Sequence, residues 1–473
     1  MEKSDPAVLP APTLPPDDVA SAEPQASADV DAEAGPEGEP QPDRPMLRPI
    51  DAYPVDGPGG QKLLCLFDPS GIAPNTVSLP PFGAAVIDLC DGSRTAPEIC
   101  AEFLARYKRP LPLESLESLL KKLDEALLLD STTFRLHCAK LFAAFAADPE
   151  RQPLSAGTRY PADPAELTKL LGQAFSPPNG PALPTAIKAD APNPPRAILA
   201  PSVDLQTGGP AYAWAFRPLL TAKTLPKLII LLGCDHSAPD PHLTFTRKHY
   251  RTPLGLLETD TELVDAVLGD AAALSTELSE LLVRDEFHHR AEISLELATL
   301  WLSFVVQERK RLGHDEPAPL IVPILVGSLH ELAITPPGKE TENHNTRIID
   351  DVLPMLQTRV GERIQRGDQV MWLGVGDLAH VGPRFGDMEP VSDDDRDSLE
   401  RRDQQTLIPV LSGDAPSFFG EIRRERDRRR ILGLGAIYTF LRASRASSGS
   451  LRCYAQCSVG PGSYISTASI VYP

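Results

Sequence analysis

The sequence predicts an α/β protein. A central, mostly parallel or mixed sheet is flanked by helices and preceded by a small α+β module and a disordered acidic tail. Three observations carry this expectation. Strand-like apolar runs at 196–200, 227–233, 319–327 and 369–376 alternate with helical patterns, as parallel strands joined by crossover helices require. Composition changes near residue 58 and again near Gly157. The 473 residues are too many for one ordinary core, and a hydrophobic content of 42% is enough for a large one.

The elements follow in chain order. No positive charge lies between Lys3 and Arg44, and no aromatic precedes Tyr53. Such a segment buries too little apolar area to offset its ordering entropy, so residues 1–57 are expected to be a disordered, solvating tail. Residues 58–131 read as an autonomous module. Lys62–Phe67 and Val77–Leu79 are strand-like, and Phe82 to Cys90 has helical spacing. Thr95-Ala96-Pro97-Glu98 starts a second helix, with Thr95 as N-cap. A third helix runs from Leu113 to Ala126. Residues 132–155 form a connecting helix, with Phe134, Leu136, Leu141, Phe142 and Phe145 available for docking. Residues 156–473 form the α/β domain. Its helices are expected to begin near Gly209, Asp260, Ala291, Asn345, Asp393 and Gly433. It ends in a hairpin turning at Gly460-Pro461-Gly462-Ser463.

Charge and cysteine use narrow the function classes. A formal net charge of −19 argues against nucleic acid or anionic membrane as partner. The run Arg423, Arg424, Arg426, Arg428, Arg429, Arg430 is interleaved with Glu421, Glu425 and Asp427 and reads as a solvated helix face. The seven cysteines show no CxxC spacing, which fits a reducing compartment. Residues 1–20 lack the pattern of a signal peptide, and the apolar runs are too short to span a bilayer, so a soluble cytoplasmic protein is expected.

Ligands of open α/β sheets bind beyond the carboxyl ends of strands. Three such ends, Ser202–Asp204, Cys234–His236 and Asp377–His380, predict one pocket holding Asp204, Asp235, His236, Asp377 and His380. Cys234 has acidic neighbours that raise a thiol pKa and make it a poor nucleophile. His288-His289 reads as a solvated loop, and Glu292 as a first-turn carboxylate of the following helix.

Residues 58–131, with two strands, three helices, the Asp91-Gly92 turn and the Leu127-Leu128-Leu129 ending, resemble PqqD-like winged-helix domains. That resemblance implies capture of a peptide or protein partner by strand addition. From Gly157 on, the chain resembles the Memo family, also called AmmeMemoRadiSam system protein B. The matching segments are Gly157–Leu167, Ala197–Pro201, Gly233-Cys234-Asp235-His236, Thr252-Pro253-Leu254-Gly255, Glu292–Glu296, Val322–Gly327 and Asp377-Leu378-Ala379-His380. The resemblance implies an extradiol dioxygenase-like fold and a metal position made by two histidines and a cysteine. Carried over residue by residue, the first histidine is Ser202, the second is His236, and the cysteine is Leu432. The histidine of the family's Glu-His-Ser motif is Ile293, whereas Asp377 and His380 are kept.

A transition-metal site needs about three good donors. Serine is a weak neutral ligand and leucine is none, so no cofactor is expected at the inherited position. Ser202, Cys234, Glu292 and Leu432 would then line a substrate pocket. The expected role is a non-catalytic binding or scaffold component of a modification system. The alternative is a redox enzyme with iron or copper in a rearranged site of Asp204, Asp235, His236 and His380, in which His380 acts as acid or base and Asp377 orients it.

Overall fold

The computed structural model describes residues 44–57, 61–68, 70–336, 338 and 346–473. Residues 1–43 of the expected tail lie outside the described residues. Residues 44–57 correct the tail's boundary, because they belong to the N-terminal unit. Strand β1 (Asp51–Asp56) pairs antiparallel with β2 (Lys62–Phe67), which pairs with β3 (Val77–Leu79). Leu47 bridges Leu129, and Leu47 and Ile50 pack on the core of Leu66, Leu79, Leu123 and Leu128. Arg48 forms a buried ion pair with Asp68 and lies over the Phe134 ring. Composition alone suggested solvation, but these few side chains are anchored by the module that follows.

The three helices of this unit are Pro81–Ile87, Ala96–Tyr107 and Leu113–Glu125. Thr95 and Glu98 close a capping box on the second. The connecting helix, Thr132–Ala147, is shorter than expected. Phe142 and Phe145 pack edge-on against Phe287 of the α/β domain, whereas Leu136 is exposed. Strand β4 (Glu150–Arg151) follows and pairs parallel with the segment His249–Thr252.

The large sheet is built from β5 (Ala197–Ala200), β6 (Leu228–Cys234), β7 (Leu243–Phe245), β10 (Leu320–Val326), β11 (Val370–Val375), β12 (His380–Val381), β13 (Ser450–Gly460) and β14 (Ser463–Tyr472). Strands β8 (His249–Thr252) and β9 (Gly255–Leu257) form a separate hairpin. The order is β12-β14-β5-β11-β6-β10-β7, with β13 on β14. The central four, β5, β11, β6 and β10, are parallel, and β14 and β7 flank them antiparallel, so the sheet is mixed.

Alternate side chains enter two cores. Ala197, Leu199, Leu228, Ile230 and Leu232 face one, and Ile198, Ala200, Ile229 and Leu231 face the other. Burial on both faces explains why these strands read as unbroken apolar runs. Helices Pro164–Gln173, Leu205–Thr221 and Ile293–Arg311 cover the second face, where Trp301 stacks on Tyr212 and Phe216. Helices Thr261–Leu274, Arg347–Gln365, Asp393–Ser412, Ala415–Arg424 and Leu434–Ser444 cover the first. Helix Leu434–Ser444 approaches β11 closely. A Cβ on Gly374 would meet the Phe440 ring at 2.6 Å, and one on Gly433 would meet Asp377 O at 2.4 Å.

Two expectations need correction here. The helix placed near Gly209 starts at Leu205, despite Gly208 and Gly209 in its first turn. Those glycines admit close neighbours, since a Cβ on Gly208 would strike Val203 and one on Gly209 would press Ala174. The arginine run is not a solvated helix face. The helix ends at Arg424, and Arg426, Asp427 and Arg430 take positive φ. Arg429 is buried against Asp403, Glu425 and Thr406. No helix among the described residues is long and apolar enough to cross a membrane.

Candidate functional site

The parallel register sets β5, β11 and β6 side by side, with Gly374 opposite both Leu199 and Leu232. Their carboxyl ends therefore deliver Ser202, Asp377 and Cys234 to one crevice. Ser202 donates its backbone N–H (3.1 Å) and its hydroxyl (2.8 Å) to the Asp377 carboxylate. The segment from Asp377 to His380 is fixed from two sides. Ser466 exchanges backbone bonds with Leu378 and Ala379, and its hydroxyl accepts from Ala379 N at 3.0 Å. Gly433 N donates to Asp377 O at 3.1 Å.

His380 is held by backbone carbonyls. Its Nδ1 faces the backbone oxygens of Leu378 (3.2 Å) and Arg430 (3.1 Å), and its ring meets Phe385 edge-on. Burial depresses its pKa against the pull of Asp377, so the ring is neutral with Nδ1 as donor. The pairing expected between Asp377 and His380 is thus replaced by Ser202–Asp377 and by carbonyl contacts to His380.

At the end of β6, consecutive side chains part. The Cys234 thiol faces the carbonyls of Val375 (3.6 Å) and Leu432 (3.7 Å). Burial, with Glu292, Asp377 and Asp235 nearby, pushes it well above the ordinary thiol range, so it stays protonated. His236 Nδ1 lies 3.0 and 3.1 Å from the two Glu292 oxygens, and His236 N donates to the same carboxylate. Glu292 raises the His236 pKa to about 9, outweighing desolvation. Glu292 is also the N-cap of helix Ile293–Arg311, accepting from Ser294 N at 2.9 Å. It is therefore more than a first-turn carboxylate.

Asp235 points to the opposite side. One oxygen accepts from Ser237 N, while the other lies 2.8 Å from His288 Nδ1 and 3.6 Å from His242 Nε2. Burial alone would raise its pKa, but the two imidazoles hold it far below the usual carboxylate range. Its bond to Asp235 raises the His288 pKa. Asp204 does not join the site; its side chain is exposed and sits 3.7 Å from Arg159. Leu432 is half exposed and offers only its carbonyl.

The expected solvated loop at His288-His289 is instead built into the core. His289 is fully buried, accepting from Tyr250 OH at 2.7 Å and donating to Thr244 O at 3.0 Å. Desolvation lowers its pKa to about 4, so it stays neutral. Arg151, also fully buried, donates to His289 O (2.9 Å) and Glu292 O (3.1 Å) and pairs with Glu296. This lattice holds His288 and Glu292 on either side of Asp235 and His236. Sequence reasoning missed His242 and Arg151, because neither lies in a periodic element. Their partners are far along the chain.

At Ser202, His236, Leu432 and Cys234, the positions grouped around the expected pocket, the side-chain donors differ in what they can offer a metal. The Ser202 hydroxyl is spent on Asp377, Leu432 has no donor atom in its side chain, and the Cys234 thiol keeps its proton. That leaves the Nε2 edge of His236. Among the described residues, the His, Cys, Asp and Glu group able to converge on one ion is Asp235, His242 and His288.

Comparison with known proteins agrees with the fold. The family model described as Memo-like protein matches residues 151–471. A MEMO1 family protein of Aquifex aeolicus is 24% identical over 399 residues, covering 84% of this chain and 90% of that protein. One from Methanopyrus kandleri is 26% identical over 331 residues, covering 68% and 99%. The Aquifex alignment spans more than residues 151–473 can supply, so it reaches into the N-terminal unit.

Proposed function

The chain belongs to the Memo-like protein family, and from that premise we propose that it works as a non-catalytic binding component of a modification system. Its inherited pocket recognises a small molecule or a partner's tail without a metal. The observation that carries this reading is the filling of the first ligand position by the Ser202–Asp377 pair, with Leu432 at the third. His236 then presents an imidazolium whose Nδ1 side is held by Glu292 and whose side chain is 40% exposed. It offers a hydrogen-bond donor rather than a lone pair. This reading takes the mixed α/β fold as an extradiol dioxygenase-like plan in which Asp377 and His380 do not act as an acid–base pair. The redox alternative would need Asp377 to orient His380, and each has other partners.

The N-terminal unit is the peptide- or protein-holding part in this reading, as a PqqD-like module would be. Support comes from its small sheet, in which β1 is an edge strand with five of its six residues exposed.

Metal analysis of tag-free wild type and His236→Ala tests the pocket. The expected result is that His236→Ala leaves metal content unchanged. Stoichiometric iron or copper that disappears in His236→Ala would overturn the proposal.

A further inference from the structure

We propose that Asp235, His242 and His288 form a binding site for a divalent first-row transition ion, separate from the inherited position at His236. The argument starts from His242. Its Nδ1 faces the backbone oxygen of Asp240 at 3.0 Å and donates to it. With Nδ1 used in that bond, Nε2 is the ring nitrogen left to ligate an ion. That atom is buried and has no hydrogen-bond partner. It faces Asp235 Oδ2 across 3.6 Å. A buried ring nitrogen and a buried carboxylate oxygen that face each other without a hydrogen bond would both gain from a cation held between them.

The geometry around that gap suits a metal. His288 Nδ1 lies 2.8 Å from the same Asp235 oxygen, and the three donor atoms all fall within 4.8 Å of one another. Two imidazoles and one carboxylate are a donor set that transition ions accept. The supporting bonds are in place too. Asp240 O fixes the His242 tautomer, and Ser237 N holds the other Asp235 oxygen. Such bonds orient ligands in established sites. Fully buried His289, locked between Tyr250 and Thr244, fixes the backbone that presents His288.

The open side faces a cavity of about 700 Å³, lined by Ser237, Asp240, His242, Arg284, Asp285 and His288 among others. Three protein ligands leave a coordination position for water or for an oxygen of a molecule in that cavity. Asp235 and His236 are consecutive, yet the first turns to His242 and His288 and the second to Glu292. The two positions can thus be tested independently.

The experiment uses the full chain without a tag, stripped with a chelator, dialysed and titrated with Zn²⁺ and separately with Co²⁺. The expected result is one saturable equivalent of each, with visible Co²⁺ absorption showing nitrogen and oxygen ligation. His242→Ala and His288→Ala should each weaken affinity more than about 100-fold, beyond what loss of a supporting bond costs, while His236→Ala binds as wild type. His242→Gln replaces His242→Ala if that variant fails to fold. Absence of saturable binding overturns this inference alone, as does binding that survives both His242 and His288 substitutions. Binding lost in His236→Ala but kept in His242→Ala overturns both this inference and the reading of the inherited pocket.

Discussion

Replacing Arg151 by Met should cost the α/β domain at least about 4 kcal/mol. Arg151 and Glu296 are both essentially inaccessible to solvent. Removing one partner of such a pair leaves the other buried and uncompensated, a loss of about 3–5 kcal/mol. Glu296 would keep Ser155 N and Tyr160 OH on its other oxygen. The carbonyls of His289 and Glu292 would also lose their donor, at about 1–3 kcal/mol each when left unsatisfied. These losses share neighbours and do not add in full, so about 4 kcal/mol is a lower bound. Urea denaturation followed by tryptophan fluorescence is the assay. Trp214, Trp301 and Trp372 all lie in the α/β domain, so the signal reports on that domain. The double variant Arg151→Met/Glu296→Met removes both charges and should recover a large part of the loss. A cost well below about 4 kcal/mol for Arg151→Met, or a double variant no more stable than the single, would refute the reasoning.

Two further predictions concern the N-terminal boundary and the inherited position. A fragment of residues 44–131 should fold and melt cooperatively, whereas 58–131 should not, because the shorter piece lacks β1, Leu47, Ile50 and the Arg48–Asp68 pair; equal circular dichroism and melting of the two would contradict this. The double variant Ser202→His/Leu432→Cys should gain a metal equivalent at His236 that wild type lacks there, read by elemental analysis in a His242→Ala background. No gain would mean that more than two donors separate this pocket from a metal site.

The large sheet was legible in the sequence because its strands are buried on both faces and read as apolar runs. The four parallel strands fall within a residue or so of expectation. The meeting of three strand ends in one crevice follows from the apolar runs, whereas Ser202 and Cys234 enter the expected pocket through the family resemblance. What stayed hidden depends on direction and distance. Asp235 and His236 are adjacent in sequence, and nothing there says which turns to Glu292 and which to His288. His242 sits in the Pro-Asp-Pro-His loop, and its contacts with Asp235 and Asp240 emerge only when that loop folds back. Asp204 looked like a pocket residue by position, but at the helix start it leans outward to Arg159. The His288-His289 pair looked solvated because its burial comes from Arg151 and Tyr250, distant in the chain.

The most direct test of the metal account is a crystal of the tag-free full chain grown with Co²⁺ or Zn²⁺ and measured at that metal's absorption edge. The account predicts an anomalous peak within bonding distance of Asp235, His242 and His288, and none between Ser202, His236 and Leu432. A peak bonded to His236, with the Asp235 site empty, would contradict it.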